Sequence, residues 1–173
     1  MTTPTRDGLA KATRTAVHLE LRDAYGASDP EFQRWRLGHR YVPEDRPEWF
    51  QGWGDAVREA VSRGVAVRRL RIVSEPVTDY IKYEHHVTYL NIAAGEQVRW
   101  LRRADIRDTP LPANDFWLFD DAQAVVNHFT GDGELNCREV VSEAMEPGLL
   151  RFFGAAFDSL WELAVPHQEY APE

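Results

Sequence analysis

Residues 114–129, NDFWLFDDAQAVVNHF, hold the side chains best suited to chemistry. Asp120 and Asp121 are adjacent carboxylates among apolar and aromatic neighbours, and His128 follows seven positions after the second. A carboxylate and an imidazole in one short segment could supply a base, or ligands for a divalent cation, in hydrolysis of a phosphoester or nucleotide. The same letters also fit a β-hairpin, whose turn favours aspartate because the side chain bonds nearby backbone. Neighbouring strand residues point to opposite faces, so Asp120 and Asp121 do not naturally converge on one ion. The turn is therefore the expected role, with Asp120, Asp121 and His128 kept as the catalytic alternative.

Other residues suit binding. Asp79 and Tyr80 open a helix just beyond the carboxyl end of a strand, the edge at which open α/β sheets bind ligands. Asn114, Asp115 and Trp117 enter from the loop before the next strand and could complete such a crevice. The six tryptophans are mainly core candidates, but WFQGWG at 49–54 carries two glycines. That places Trp49, Phe50 and Trp53 at a helix margin, where they are expected to meet a partner. His85 and His86 are consecutive on a helix and diverge by roughly 100°, so they lack the i, i+4 histidine pair of a zinc protease. No metal or other cofactor is expected. Glycine-rich phosphate loops and the G-x-S-x-G nucleophile turn are missing from the sequence.

These residues need elements to hold them. Leu9, Ala12, Ala16, Val17, Leu21 and Ala24 recur at helical spacing, which predicts one helix from Asp7 to a stop at Gly26. Asp29 and Pro30 start a short second helix. Trp49, Phe50, Trp53, Val57, Ala60 and Val61 form the stripe of a third, ending at Gly64. VAVRRLRIV reads as a strand with Arg69 and Arg71 on one face and Leu70 and Ile72 on the other. A helix capped by Thr78 or Asp79 and closed by Gly95 follows, then the strand EQVRWLRR. That strand–helix–strand order over 67–101 implies a parallel pair. DFWLFD and AVVNHF form a hairpin at 115–130, LNCREVV a short strand, and EPGLLRFFGAAFDSLWELAV a final amphipathic helix. The expected fold is a single α/β (α+β) domain with a mixed four- to five-stranded sheet. Its parts are a helical 1–64, an α/β core at 65–145 and a C-terminal helix at 146–165.

Composition bounds the function. The chain has 173 residues, enough for one ordinary core, and a net charge of −8, which argues against general nucleic-acid affinity. Residues 58–107 carry ten Arg/Lys against six Asp/Glu, while 108–173 carry two against thirteen. The simplest expectation is that the central arginines pair with the acidic C-terminal third. The single cysteine, Cys137, excludes an internal disulfide framework and fits a reducing compartment. MTTPTRDGLAKATRT has no apolar run of a signal peptide, and no stretch approaches the roughly 20 apolar residues of a membrane span. A soluble, cytoplasmic protein without direct nucleic-acid or membrane contact is expected.

Three blocks carry a resemblance: VSEPVTDYIKYEHHVTYLNIAAGEQVRWL, LPANDFWLFDDAQAVVNHFTGDGE and LWELAVPHQEY. Together they resemble an actinobacterial family of unknown function, often encoded beside helix-turn-helix transcription regulators. The likeness spans roughly residues 30–170 and is looser in RWRLGHRYVPED and WFQGWGDAV. More remotely, the strand, helix, loop and FWLFDDAQAVV resemble one half of a phospholipase D-type domain, whose hairpin carries a His-x-Lys-x4-Asp motif. With Asp121 as the motif aspartate, the histidine and lysine slots fall on Asn114 and Phe116. With Asp120 they fall on Ala113 and Asp115. In neither register do the slot residues attack phosphorus or neutralise phosphate. The resemblance implies a non-catalytic relative: an accessory protein that binds a helix-turn-helix regulator, with or without a small ligand. The alternatives are a metal-dependent phosphoester or nucleotide hydrolase using Asp120, Asp121 and His128, and a small-molecule sensor.

Overall fold

The computed structural model describes residues 3–26, 28–42 and 44–173. Helix α1 (Pro4–Lys11) starts where Thr3 accepts the Arg6 N–H and proline takes the first turn. It does not continue to Gly26. The chain leaves the helix at Ala12 and enters a strand, β1 (Thr15–Glu20). The predicted long helix is thus corrected to a helix and a strand, and 1–64 is not an all-helical part. The misreading has a physical cause. Five of the six β1 residues are buried, so the strand lacks the polar–apolar alternation that betrays a half-exposed strand.

All but the last of the remaining elements follow the sequence closely. They are α2 (Pro30–Arg36), α3 (Glu48–Ser62), β2 (Ala66–Val73), α4 (Asp79–Ala94), β3 (Gln97–Arg102), β4 (Asp115–Phe119), β5 (Gln123–Phe129), β6 (Leu135–Ser142), α5 (Pro147–Leu163) and β7 (Val165–Pro166). Asp29 caps α2 by accepting from the N–H groups of Glu31 and Phe32, and Thr78 caps α4 through the Ile81 N–H. Gly95, at φ 104°, ends α4 in the left-handed conformation that glycine adopts without steric cost.

The strands form one mixed sheet in the order β6-β5-β4-β1-β2-β3-β7. It has seven strands rather than four or five; β1 and β7 were not anticipated. β1 sits at the centre, parallel to β2 through Leu19↔Leu70 and antiparallel to β4 through His18↔Trp117. The predicted β2–α4–β3 unit is present with its strands parallel, and β4–β5 is the predicted hairpin. Asp120 and Asp121 form the hairpin turn at φ 52° and 59°, and the Ala122 N–H donates to Phe119 O at 2.9 Å. Positive φ at both central residues suits the right-handed twist of the flanking strands, and aspartate tolerates it.

Each sheet face has its own core. Leu19, Leu70, Ile72, Phe116 and Leu118 pack under α5 with Phe153, Phe157 and Leu160. The other face is covered by α1 to α4, where Val67, Val98, Trp100, Trp117 and Val125 meet Leu9, Phe32, Val57 and Ile81. No helix among the described residues is long and apolar enough to cross a membrane.

Candidate functional site

The helix-rich face buries charge. Period-two alternation sends His18 and Glu20 of β1, Arg69 and Arg71 of β2, Asp115 and Trp117 of β4 and Asn127 of β5 beneath the helices, all of them buried. Glu20 lies between both arginines, accepting from Arg71 Nε at 2.6 Å and from Arg69 Nη1. Arg69 Nε also donates to Glu96 Oε2 at 2.8 Å, and Arg71 Nη2 pairs with Glu84 Oε2 at 2.5 Å. The helices hold the outer carboxylates: Trp53 Nε1–H donates to Glu96 at 2.8 Å, and Tyr80 O–H to Glu84 at 3.0 Å. The two guanidiniums are therefore committed to protein partners.

The electrostatics follow from that commitment. Burial acts to raise the Glu20 pKa, but Arg71 and then Arg69 outweigh it and hold the carboxyl at about 2. Burial, reinforced by Arg69, drives the His18 imidazole well below its usual range, so it is neutral at physiological pH. Its ring stacks on Trp117, with centroids 4.3 Å apart and planes at 14°. His18 Nδ1 lies 3.3 Å from Glu20 Oε1 without hydrogen-bond alignment, and neither ring nitrogen has a hydrogen-bond partner. Asn127 Oδ1 is also buried without a partner. Asp115 accepts the Leu21 N–H at 2.9 Å and the Tyr25 hydroxyl, yet burial outweighs both bonds and pushes its pKa to about 6.

These groups line a cavity of about 440 Å³. Its walls include Tyr25, Tyr80, Trp117 and Phe129, with Arg6 and Arg138 exposed at its mouth. Of the five predicted ligand-binding residues, Tyr80, Asp115 and Trp117 meet here. The other two do not. Asp79 is exposed and pairs with Lys82 at 3.5 Å, and Asn114 lines a smaller hollow with Arg22 and Arg103. Trp49, Phe50 and Trp53 also line the cavity instead of forming one outward patch: Phe50 is buried, Trp53 is tied to Glu96, and Trp49 is exposed.

Asp120, Asp121 and His128 do not gather. Asp120 closes the turn against β1, accepting the N–H groups of Thr13, Arg14 and Thr15, each at 2.8 Å. Burial acts to raise its pKa, but those bonds prevail and keep it below the usual range. His128 stands five residues from Gln123 at the far end of β5, roughly 17 Å from the turn at about 3.4 Å per residue. There its Nε2 lies 2.9 Å from Glu139. Among the described residues no three His, Cys, Asp or Glu side chains are grouped to hold a metal ion. His85 is half-buried, its Nε2 3.1 Å from Tyr170 O.

Sequence reasoning missed His18 and Glu20, because β1 was read as helix. It also misassigned the arginines' partners. Glu20, Glu84 and Glu96 all precede residue 108, so the central arginines do not rely on the acidic C-terminal third. Two arginines alternating with Leu70 and Ile72 on a strand were the available signal of a buried charged face.

Comparison with known proteins places this architecture. The family model for Domain of unknown function (DUF6879) matches residues 5–172, and the chain belongs to that family. No curated protein matches the chain. Among solved structures, Nuc, a phospholipase D family member from Salmonella typhimurium, is similar with a TM-score of 0.52 and 14% identity, over 94% of this chain and 87% of that one. NucT from Helicobacter pylori is similar with a TM-score of 0.51 and 12% identity, over 94% and 87%. At such identities the likeness shows a shared fold.

Proposed function

We propose that this DUF6879 family member is a small-molecule-binding domain that uses a phospholipase D-like fold without its phosphoryl-transfer chemistry. One observation carries the reading. Two cavity-lining residues carry buried polar atoms without partners, His18 Nδ1 and Nε2 and Asn127 Oδ1, while Arg69 and Arg71 are already paired with carboxylates. Unpaired buried polar atoms are costly, and a polar ligand held in the cavity offers them partners. Strand direction supports the same reading. Phe116 faces α5, where its ring stacks on Phe153 at 4.2 Å, and Asp115 faces the cavity. The Asp120 register of the His-x-Lys-x4-Asp pattern is therefore the one whose lysine slot opens on the cavity, and a carboxylate fills it. The hydrolase alternative built on Asp120, Asp121 and His128 has no shared site to act from.

The test is a thermal-shift screen of nucleotides, amino acids, amines and sugars. A ligand at 100 times its dissociation constant adds about 2.7 kcal/mol of stability. A shift that disappears in Trp117→Ala is the expected result. Turnover of a phosphodiester that is lost in Asp115→Asn would overturn the reading.

One feature favours a protein partner as well. β6 is an edge strand exposed over most of its length, with Leu135 and Val140 at 39% and 41% exposure. Free strand edges readily pair with another chain. As an accessory protein of a helix-turn-helix regulator, the domain would report cavity occupancy through that edge or through Trp49. A pull-down with the tagged chain that enriches no helix-turn-helix protein would sink this extension and leave the ligand reading in place.

A further inference from the structure

The binding reading leaves the ligand's chemistry open, and the deep end of the cavity narrows it. Asp115 and Asn127 are directly opposite on β4 and β5. Such pairs bring their side chains within about 5 Å of each other. Both are buried, at 2% and 9% exposure, and both line the cavity. Asn127 Oδ1 has no hydrogen-bond partner, and among the described residues Asp115 has no cationic side chain within ion-pair distance. Its two oxygens accept one bond each, from Leu21 N–H and Tyr25 O–H, of the roughly four a carboxylate can take.

The buried charges around the cavity are already matched. Glu20 and Glu84 engage Arg69 and Arg71, and His18 is neutral. An anion brought here would meet carboxylates whose matching cations are already engaged. Arg22 lies over the Phe129 ring at 5.3 Å, shares a neighbouring hollow with Asp115, and acts on it only beyond ion-pair distance. Arg6 and Arg138 stand at the mouth, exposed to water that screens them. The nearby rings suit a cation: Tyr25 packs edge-on against Phe129 at 5.2 Å and tilts towards Tyr80 at 5.9 Å.

Resting on the ligand-binding reading above, we propose that the cavity recognises an organic amine. Its protonated nitrogen donates to Asp115 and to Asn127 Oδ1, and its apolar body lies on the aromatic walls. The elevated Asp115 pKa agrees, because a carboxylate buried without a cation is one whose charge a bound ammonium stabilises.

The test is isothermal titration of the full chain near neutral pH with three matched probes: 2-phenylethylamine, 2-phenylethanol and 3-phenylpropanoate. The amine is expected to bind about 10- to 100-fold tighter than the alcohol, the range for a hydrogen bond to a charged group, with the acid weakest. Asp115→Asn should erase the preference. Asn127→Leu, which spares the Tyr25 and Leu21 contacts, should reduce it. Circular dichroism melts verify that both variants fold. Equal or tighter binding of the acid, or a preference that survives both variants, overturns the proposal. If the acid or the alcohol binds at least as tightly as the amine and Trp117→Ala abolishes that binding, the cavity reading stands and the amine assignment falls. If none of the probes binds, the amine assignment falls, and the cavity reading falls with it only when the wider thermal-shift screen is silent too.

Discussion

The two faces of the sheet solve opposite problems. Under α5 the strands contribute Leu19, Leu70, Ile72, Phe116 and Leu118, and the core contacts are apolar, including stacked rings at Phe116–Phe153 and Phe157–Trp161, with Arg68 and Arg99 set over Trp161. Under α1 to α4 the same strands contribute His18, Glu20, Arg69, Arg71 and Asp115 around a cavity. An apolar face gains stability simply from leaving water. A buried ionic face gains little, since desolvation consumes most of the Coulomb energy. On the proposed reading the first face supplies stability and the second recognition, with Glu20, Arg69 and Arg71 held in fixed positions by their partners rather than by burial alone.

Mutations on each side can break that division. Phe157 is fully buried beneath the sheet, and Phe157→Ala should cost about 3–5 kcal/mol in urea unfolding while leaving ligand affinity in the folded fraction unchanged. A comparable loss of affinity would show that the faces are coupled. Glu20→Gln on the opposite face should cost about 3 kcal/mol, the low end for breaking a buried ion pair, because Glu84 and Glu96 still hold the arginines. Here affinity should fall along with stability, since Arg69 and Arg71 lose their shared anchor. Unchanged binding in this variant would remove the network from the site.

The smallest effect is one of pH. Trp100 Nε1–H donates to His167 Nδ1 at 3.1 Å, which requires a neutral ring. Burial, followed by His85 and Arg71, lowers the His167 pKa from 6.5 to about 4. A depressed histidine contributes stability that is fully present above 6.5 and is lost as pH falls towards 4. Asp115, raised from 3.8 to about 6, acts in the opposite sense: its contribution is present below 3.8 and is lost as pH rises towards 6. Urea midpoints measured across this range should therefore fall more steeply on acidification in the native chain than in His167→Gln. Parallel slopes would show that the tail does not sense protons.

Most elements were legible because each carried a local signal. Gly64 and Gly95 stopped helices, Asp29 and Thr78 capped them, and paired aspartates turned the hairpin. β1 was not legible. TAVHLE has both faces buried, and the apolar positions continuing from Leu9 mimic a helical stripe. The site suffered most from that one error. Tyr80, Asp115 and Trp117 were found from their position at strand ends, but His18 and Glu20 belong to the strand that joins the two halves of the sheet. Asn127 gave no cue beyond its place on a hairpin strand. Its significance comes from facing Asp115 across the ladder, a pairing that no local pattern encodes.

β1 also has a temporal meaning. Leu19 pairs with Leu70 on one side and with Phe116 on the other, so a segment translated early must wait for two partners that emerge far later. Helices α2 and α3 lie between β1 and its first partner in the chain, and β1 lacks its second neighbour until β4 of the hairpin has been made. Assembly governed by such distant pairings is slow, and a nascent chain paused before residue 115 exposes one whole edge of β1 to whatever else is nearby.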